Sequence, residues 1–197
     1  MKRFAFFSVA ALLPLTSFAA QPTPGFGAHV SYIHNDAGSG SSFDASGRAE
    51  LFGQLVVSRN VAFEVGGSYS SQTEDSGADN QGTYKIDITS SDVFAGLRLD
   101  SPPMGAMNLY GRGGMLYYES VIDFREDFYG IKPGGALEKT ESGTGYYVEA
   151  GVAFRLAPNM KVDAGFTHRV RQDYFGHSLK PFDMTENGLS VGMIWQY

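Results

Sequence analysis

The 197-residue chain has no cysteine. That excludes a disulfide framework, thiolate zinc sites and cysteine nucleophiles. Histidine occurs four times, with no recurring metal-ligand spacing, so no metal site and no other cofactor is expected. Positive charge is scarce: 15 Lys and Arg face 21 Asp and Glu, for a formal net charge of −6. This argues against nucleic acid as a partner and against a polybasic membrane-surface module. Long apolar runs are missing as well. After the first residues, no stretch approaches the roughly 20 apolar residues of a spanning helix. No amphipathic helix of about 12 residues or more stands out. Mean hydropathy is −0.17, and a hydropathy scan alone describes a soluble protein.

The one apolar run opens the chain. Lys2 and Arg3 precede Phe4 to Leu15, and small residues follow at Ser17, Ala19 and Ala20. This is the pattern of a secretory signal peptide over residues 1–20, cleaved after Ala19 or Ala20, with residues 21–197 as one domain of roughly 175 residues. Lys2 and Arg3 are its only charges, so its removal takes the formal charge from −6 to −8.

What is abundant is glycine, at 25 residues, and aromatic residues, at 14%. Apolar residues recur with period two, the signature of half-buried strands. Phe26, Ala28, Val30 and Tyr32 share one parity; so do Ala49, Leu51, Leu55 and Val57, and Val61, Phe63, Val65 and Tyr69. Val93 to Leu99, Leu109 to Tyr117, Val148 to Leu156, Val162 to Val170 and Leu189 to Tyr197 continue the series, which predicts eight strands. One irregularity stands out. Tyr84, Ile86 and Ile88 have the opposite parity to Val93 and Leu97. Either a bulge near Ser90-Ser91 reconciles them, or the upper part of that strand rises beyond the apolar belt.

The connections alternate. Short ones fall at 58–60, 100–107 and 157–160, and long polar ones at 35–46, 71–83, 123–143 and 172–186. In a meander this gathers the tight turns at one end and the long loops at the other, as in transmembrane barrels. The expected fold is all-β: an eight-stranded antiparallel up-and-down transmembrane β-barrel. A soluble lipocalin-like periplasmic carrier would have the same strand count with its apolar face inside. The glycines favour the membrane form. Gly66, Gly96, Gly114, Gly151, Gly165 and Gly192 lie on the polar parity, where a narrow interior needs small residues beside long ones. Aromatics end the apolar face at both rims: Phe63, Phe154, Trp195 and Tyr197 at the short-turn side, Tyr32, Tyr69 and Tyr117 at the loop side.

The polar parity then lines the lumen, where charges must pair. Counting heights from the short turns puts Glu64 and Arg112 about three to four residues up, and Arg48, Glu50, Glu149 and Arg169 about seven to nine up. Two stacked ion-pair layers are expected, while Arg98, Arg155 and Lys161 at the rim would meet water. His29 and His168 are expected to be hydrogen-bonded lumen or interface residues. Closure requires the last strand to pair with the first, because lipid cannot satisfy an open edge.

With "NLYGRGGMLYY" in the fifth strand and the terminal "GLSVGMIWQY", the chain resembles the small eight-stranded outer-membrane barrels of Gram-negative bacteria, the OmpA-like and OmpX/Ail-like group. The resemblance implies a site in the outer membrane, contact with lipid and lipopolysaccharide, and a monomer. It implies that Met193, Trp195 and Tyr197 form a signal for the barrel-assembly machinery. It also implies a non-enzymatic role in adhesion or envelope structure, played through four extracellular loops. Phe124, Arg125, Phe128 and Tyr129 in "DFREDFYG" are the candidate contacts for a host or other extracellular ligand. Some eight-stranded barrels are enzymes: the lipid A deacylases use His, Ser and Glu on the outer face, with His and Ser two apart. Here His177 is adjacent to Ser178, with Glu186 further on, so the two side chains would point to opposite faces of a strand. An eight-stranded barrel is barely wide enough for its own side chains, which leaves at most a narrow ion conductance.

Overall fold

The computed structural model describes residues 22–37, 41–42, 45–78, 82–128, 135–174 and 182–197. The expected signal segment, and with it His177, Ser178 and Tyr129, lies outside the described residues. The strands are β1 (Thr23–Ala37), β2 (Ser41–Ser42), β3 (Ser46–Ser58), β4 (Val61–Ala78), β5 (Gly82–Asp100), β6 (Met107–Phe128), β7 (Gly135–Ala157), β8 (Met160–Tyr174) and β9 (Phe182–Gln196). All pairings are antiparallel between neighbours, and β2 is a two-residue flap on β1. The remaining eight strands form a ring, because β1 also pairs with β9 from Gly25↔Gln196 up to Ala37↔Met184. The chain therefore has no free edge through the belt, as lipid demands.

Why the residues fold this way follows from the alternation. Along β3 burial alternates strictly from Ser46 to Leu55, with Arg48, Glu50, Phe52 and Gln54 turned in and Ala49, Leu51 and Leu55 turned out. The outward set is apolar and exposed: Val30, Leu51, Val65, Val93, Met115, Val148 and Leu189 among others. Aromatics bracket this belt, with Phe63, Phe154 and Tyr197 at one rim and Tyr32, Tyr69, Tyr117 and Tyr146 at the other. At the short-turn rim Trp195 stacks on Phe26, ring centres 4.8 Å apart. The tight turns are tied together there. Asn60 Nδ2 donates to the Asp100 carbonyl at 2.6 Å, and Gln196 N–H donates to the Asn159 carbonyl at 2.9 Å.

Two expectations about the strands need correction. No bulge occurs near Ser90-Ser91; the β5–β6 register runs unbroken from Gly82↔Phe128 to Asp100↔Tyr110. The predicted long loops at 71–83 and 123–143 are also mostly strand. β4 and β5 run to 18 and 19 residues, and β6 and β7 to 22 and 23. A membrane needs about 9–11 residues of tilted strand. The other four ring strands have 13 to 15 residues, so one wall of the barrel stands taller. The physical reason is a change of solvent. Below the tyrosine rim the outward face meets lipid and is apolar. Above it, at the same register, the outward face carries Thr83, Lys85, Asp87, Asp123 and Arg125, and the inward face carries Ile86, Ile88, Ile122 and Phe124. A strand that leaves the membrane must invert its polarity, and that inversion broke the periodic signal.

Candidate functional site

The lumen is filled. Its centre is Arg112 on β6, buried and pointing inward because Leu109, Met115 and Tyr117 claim the outward parity. Its guanidinium lies 2.6 Å from Glu50 Oε1, 2.8 Å from Glu149 Oε2 and 3.6 Å from Glu64 Oε2. It also donates to His29 Nδ1 at 2.8 Å. Since Arg112 can only donate, Nδ1 must accept, and the imidazole proton sits on Nε2, 3.1 Å from Asp163 Oδ1. Glu149 takes two neutral donors besides, Tyr110 Oη at 2.6 Å and Ser190 Oγ at 2.9 Å.

A second tier lies above. Arg169 bridges Glu50 (3.0 Å) and Asp92, Arg171 binds Asp92 (3.1 Å) and Glu186, and Arg48 pairs with Glu186. A third tier lies toward the short turns. Arg98 binds Asp163 (2.7 Å) and Asp100 (3.1 Å), and Lys161 reaches Asp100 at 3.2 Å. Glu50 joins the upper tier to the middle one, and His29 with Asp163 joins the middle to the lower. The result is one continuous polar ladder down the barrel, with the neutral His29 as the rung between Arg112 and Asp163.

The structure thus brings together Arg112, Glu50, Glu64 and Glu149, and places Arg48 and Arg169 above them. The expected two layers become three tiers, and Glu50 and Glu149 sit with Arg112 rather than with Arg48. Strand tilt is the cause: residues at equal count on separate strands lie at different heights. Arg98 does not face rim water as expected, whereas Lys161 is half-buried beside Asp100. Arg98 is 1% exposed and lies over the Tyr110 ring at 3.9 Å, while Arg155 is exposed. Asp92, Asp163, Arg171 and Glu186 were not singled out for the network. Their signal was the inward parity of their strands, and for Glu186 it was masked by the adjacent polar segment. His168 sits at the wall, with Nδ1 2.8 Å from Asn187 Oδ1.

The lumen also contains apolar rings, on the same parity as its charges. Phe52, Phe94, Tyr147 and Tyr118 are buried in a cluster with Leu116, Ile88, Tyr174, Met184 and Ile194. Inward glycines make room for them. A Cβ on Gly66 would meet Phe52 Cβ at 2.6 Å and Phe94 Cζ at 2.7 Å, and one on Gly96 would meet Tyr147 Oη at 2.5 Å. Arg112 lies 5.4 Å from the Phe52 ring and 5.7 Å from the Tyr147 ring, so the central cation is held between aromatic faces. Among the described residues no group of His, Asp and Glu could hold a metal ion.

On the tall wall, the contact candidates separate. Phe124 is half-buried on the inward face, Arg125 is exposed on the outward one, and Phe128 ends β6. At the other rim, Met193 and Trp195 are half-buried and Tyr197 exposed, on the outward face of β9 and its end.

The chain from residue 5 to residue 196 matches the family described as outer membrane protein beta-barrel domain. No curated protein matches it by sequence. Among solved structures it is similar to Ail, the attachment invasion locus protein of Yersinia pestis, at 14% identity and a TM-score of 0.58, over 90% of this chain and 100% of that one. It is similar to Neisserial surface protein A at 14% identity and 0.57, over 88% and 97%. A third likeness is to the outer membrane protein OprG from Pseudomonas aeruginosa, at 14% and 0.53, over 90% and 98%. The closed ring, the outward apolar belt and the charged, plugged lumen agree with that family match: this chain belongs to the outer-membrane β-barrel proteins and resides in the outer membrane.

Proposed function

We propose that the protein is a non-enzymatic surface protein of adhesion type, in which a plugged barrel holds a sheet of four strands above the membrane for contact with an extracellular ligand. The observation that carries this reading is the polarity inversion of β5 and β6. They keep an unbroken register beyond the tyrosine rim while their outward face turns from apolar to charged. A barrel serving only as an envelope strut needs no such extension. The tiers of ion pairs and buried rings support a scaffold rather than a pore, because an eight-stranded interior is just wide enough for its own side chains. The His177–Ser178 adjacency gives no support to a lipid-modifying enzyme. The aromatic end of β9 supports recognition by the barrel-assembly machinery through Met193, Trp195 and Tyr197, and the closed ring supports insertion as a monomer.

The ligand is a protein or peptide surface rather than a polyanion. Ail is seen in complex with the heparin analogue sucrose octasulfate. Here acidic residues outnumber basic ones on both tall hairpins. Glu74, Asp75, Asp79 and Asp87 face Lys85 alone, and Glu119, Asp123, Glu126, Asp127, Glu138 and Glu141 face Arg125, Lys132 and Lys139. Such a surface repels sulfated sugars. The test is binding of the folded chain, held singly in lipid nanodiscs, to host cells and to matrix proteins. Binding that disappears when residues 123–143 are replaced by a short turn supports the reading. No binding to either, with an envelope defect on deletion, overturns it in favour of a structural role.

A further inference from the structure

Above Gly145, β7 loses its neighbour on one side. Its ladder to β8 stops at Gly145↔Arg171, whereas its ladder to β6 continues up to Gly135↔Glu126. β8 is turned away at this level. Its register against β9 shifts between Arg171 and Tyr174, and Asp173 between them has φ of 53°, a left-handed conformation that aspartate adopts at bends. Asp173 N–H donates to Asp183 Oδ1 at 3.1 Å, and the Gln172 carbonyl accepts from Tyr118 Oη at 3.0 Å. β8 is thereby tied to β9 and to the lumen plug rather than to β7.

The orientation of the free edge can be derived. Arg155 N–H donates to the Ala106 carbonyl, on the β6 side. Backbone directions alternate along a strand and the β6–β7 register is unbroken, so odd-numbered residues of β7 bond toward β6. The N–H and C=O groups of Glu138, Thr140, Ser142 and Thr144 therefore point off the edge. Those of Glu138, Thr140 and Ser142 meet no ladder partner among the described residues, and all three residues are exposed; Thr144 flanks the last rung to β8. The opposite margin of the tall wall, β4, carries a register shift between Thr73 and Asp75, the kind of bulge that spoils an edge for pairing. β7 carries none up there.

The charge pattern selects the partner. Antiparallel pairing of two copies about Thr140 sets even residues against even ones, as the hydrogen bonds require: Thr140 against Thr140, and Glu138 against Ser142. The same register sets Lys139 of each copy against Glu141 of the other, and Leu137 against Gly143. No like charges meet. Within one chain Lys139 Nζ already lies 2.6 Å from Glu141 Oε1, so the two pairs would merge into an alternating square. Parallel pairing would set Glu138 on Glu138 and Lys139 on Lys139. Two copies in one membrane point the same way and cannot bring these edges antiparallel; two copies in facing membranes can. From Tyr146 to Thr140 the strand climbs on the order of 15 Å at the usual rise and tilt, enough to clear the headgroups.

Resting on the surface-contact reading, we propose that the β7 edge from Glu138 to Ser142 pairs with the same edge of a second copy in a facing membrane, so that the protein joins two membranes through a shared sheet. The test uses the full folded chain in phosphatidylcholine vesicles free of lipopolysaccharide. Two vesicle populations carry donor and acceptor lipids, and association is read by energy transfer and turbidity. Thr140→Pro removes an N–H that does not bond β6, so the barrel still forms, as heat-modifiable gel migration checks. Vesicle association is expected to fall about tenfold. Lys139→Glu and Glu141→Lys are each expected to reduce association by about the same factor, and mixing the two populations is expected to restore it, since each then faces opposite charge. Association that is insensitive to Thr140→Pro, or that the mixed populations fail to restore, overturns the proposal. Wild-type vesicles that stay apart while nanodisc-held barrels still bind cells overturn the homotypic pairing alone. Loss of both overturns the surface-contact reading with it.

Discussion

Arg112→Met keeps much of the side-chain volume and removes the one cation that faces Glu50, Glu149 and Glu64 together. The structure sets the size of the loss. Removing one partner from a buried pair costs about 3–5 kcal/mol, because the remaining charge is stranded. Glu50 would keep Arg169 at 3.0 Å, and Glu149 would keep Tyr110 and Ser190. Among the described residues Glu64 would keep only the hydrogen bond from Gln54 Nε2, at 3.1 Å. The two better-served carboxylates put the expected cost at the low end, about 3 kcal/mol, or on the order of a hundredfold in the unfolding equilibrium. The assay is reversible urea unfolding in lipid vesicles, followed by fluorescence of Trp195, the only tryptophan and one that sits at the belt's rim. An internal control is the exposed Lys85–Asp87 pair at 2.7 Å. There, Lys85→Met should change stability by no more than about 1 kcal/mol. If Arg112→Met falls within the control's range, the charge ladder does not hold the lumen and the scaffold argument fails.

Three further outcomes follow from the same geometry. A double-mutant cycle on Phe26→Ala and Trp195→Ala should return a coupling of about 0.5–1.5 kcal/mol from the stacked rings, measured by the same unfolding assay. Ile88→Ala removes a buried side chain from the cluster that caps the lumen and should destabilise by about 2–5 kcal/mol, with faster proteolysis of the tall wall. Gly66→Ala would drive a methyl into Phe52 and Phe94 and should cost about 1–3 kcal/mol, whereas Gly47→Ala, with nothing within 4 Å, should be within about 0.5 kcal/mol of wild type.

Much of the fold could be read from residues such as Ala49, Leu51 and Leu55 against Arg48, Glu50 and Gln54, because the belt imposes lipid on one face throughout. The charges on the inward parity and the need for closure at Tyr197 followed from the same constraint. Where that constraint ends was legible only as one of two alternatives for β5. Ile86 and Ile88 reverse parity without a bulge, since above the tyrosine rim water lies outside and the plug inside. A periodicity argument assumes one solvent along the whole strand, so the upper halves of β4–β7 looked like loops. The pairing of Arg112 with Glu149 across one rung, and of Arg98 with Asp163, depends on register and tilt that height counting along single strands does not contain. Phe52 and Tyr147 in the lumen were legible only through the glycines that face them.

The central claim is that the outward face between the two aromatic rims meets lipid and the same face above them meets water. Arginine placed at Val65, an outward position between Phe63 and Tyr69, and arginine placed at Thr83, outward on the tall wall, measure this directly by unfolding free energy in vesicles. The account predicts a cost of about 2–4 kcal/mol for Val65→Arg and a change near zero for Thr83→Arg. Equal tolerance at both positions would mean that water surrounds the barrel along its whole height, and would contradict it.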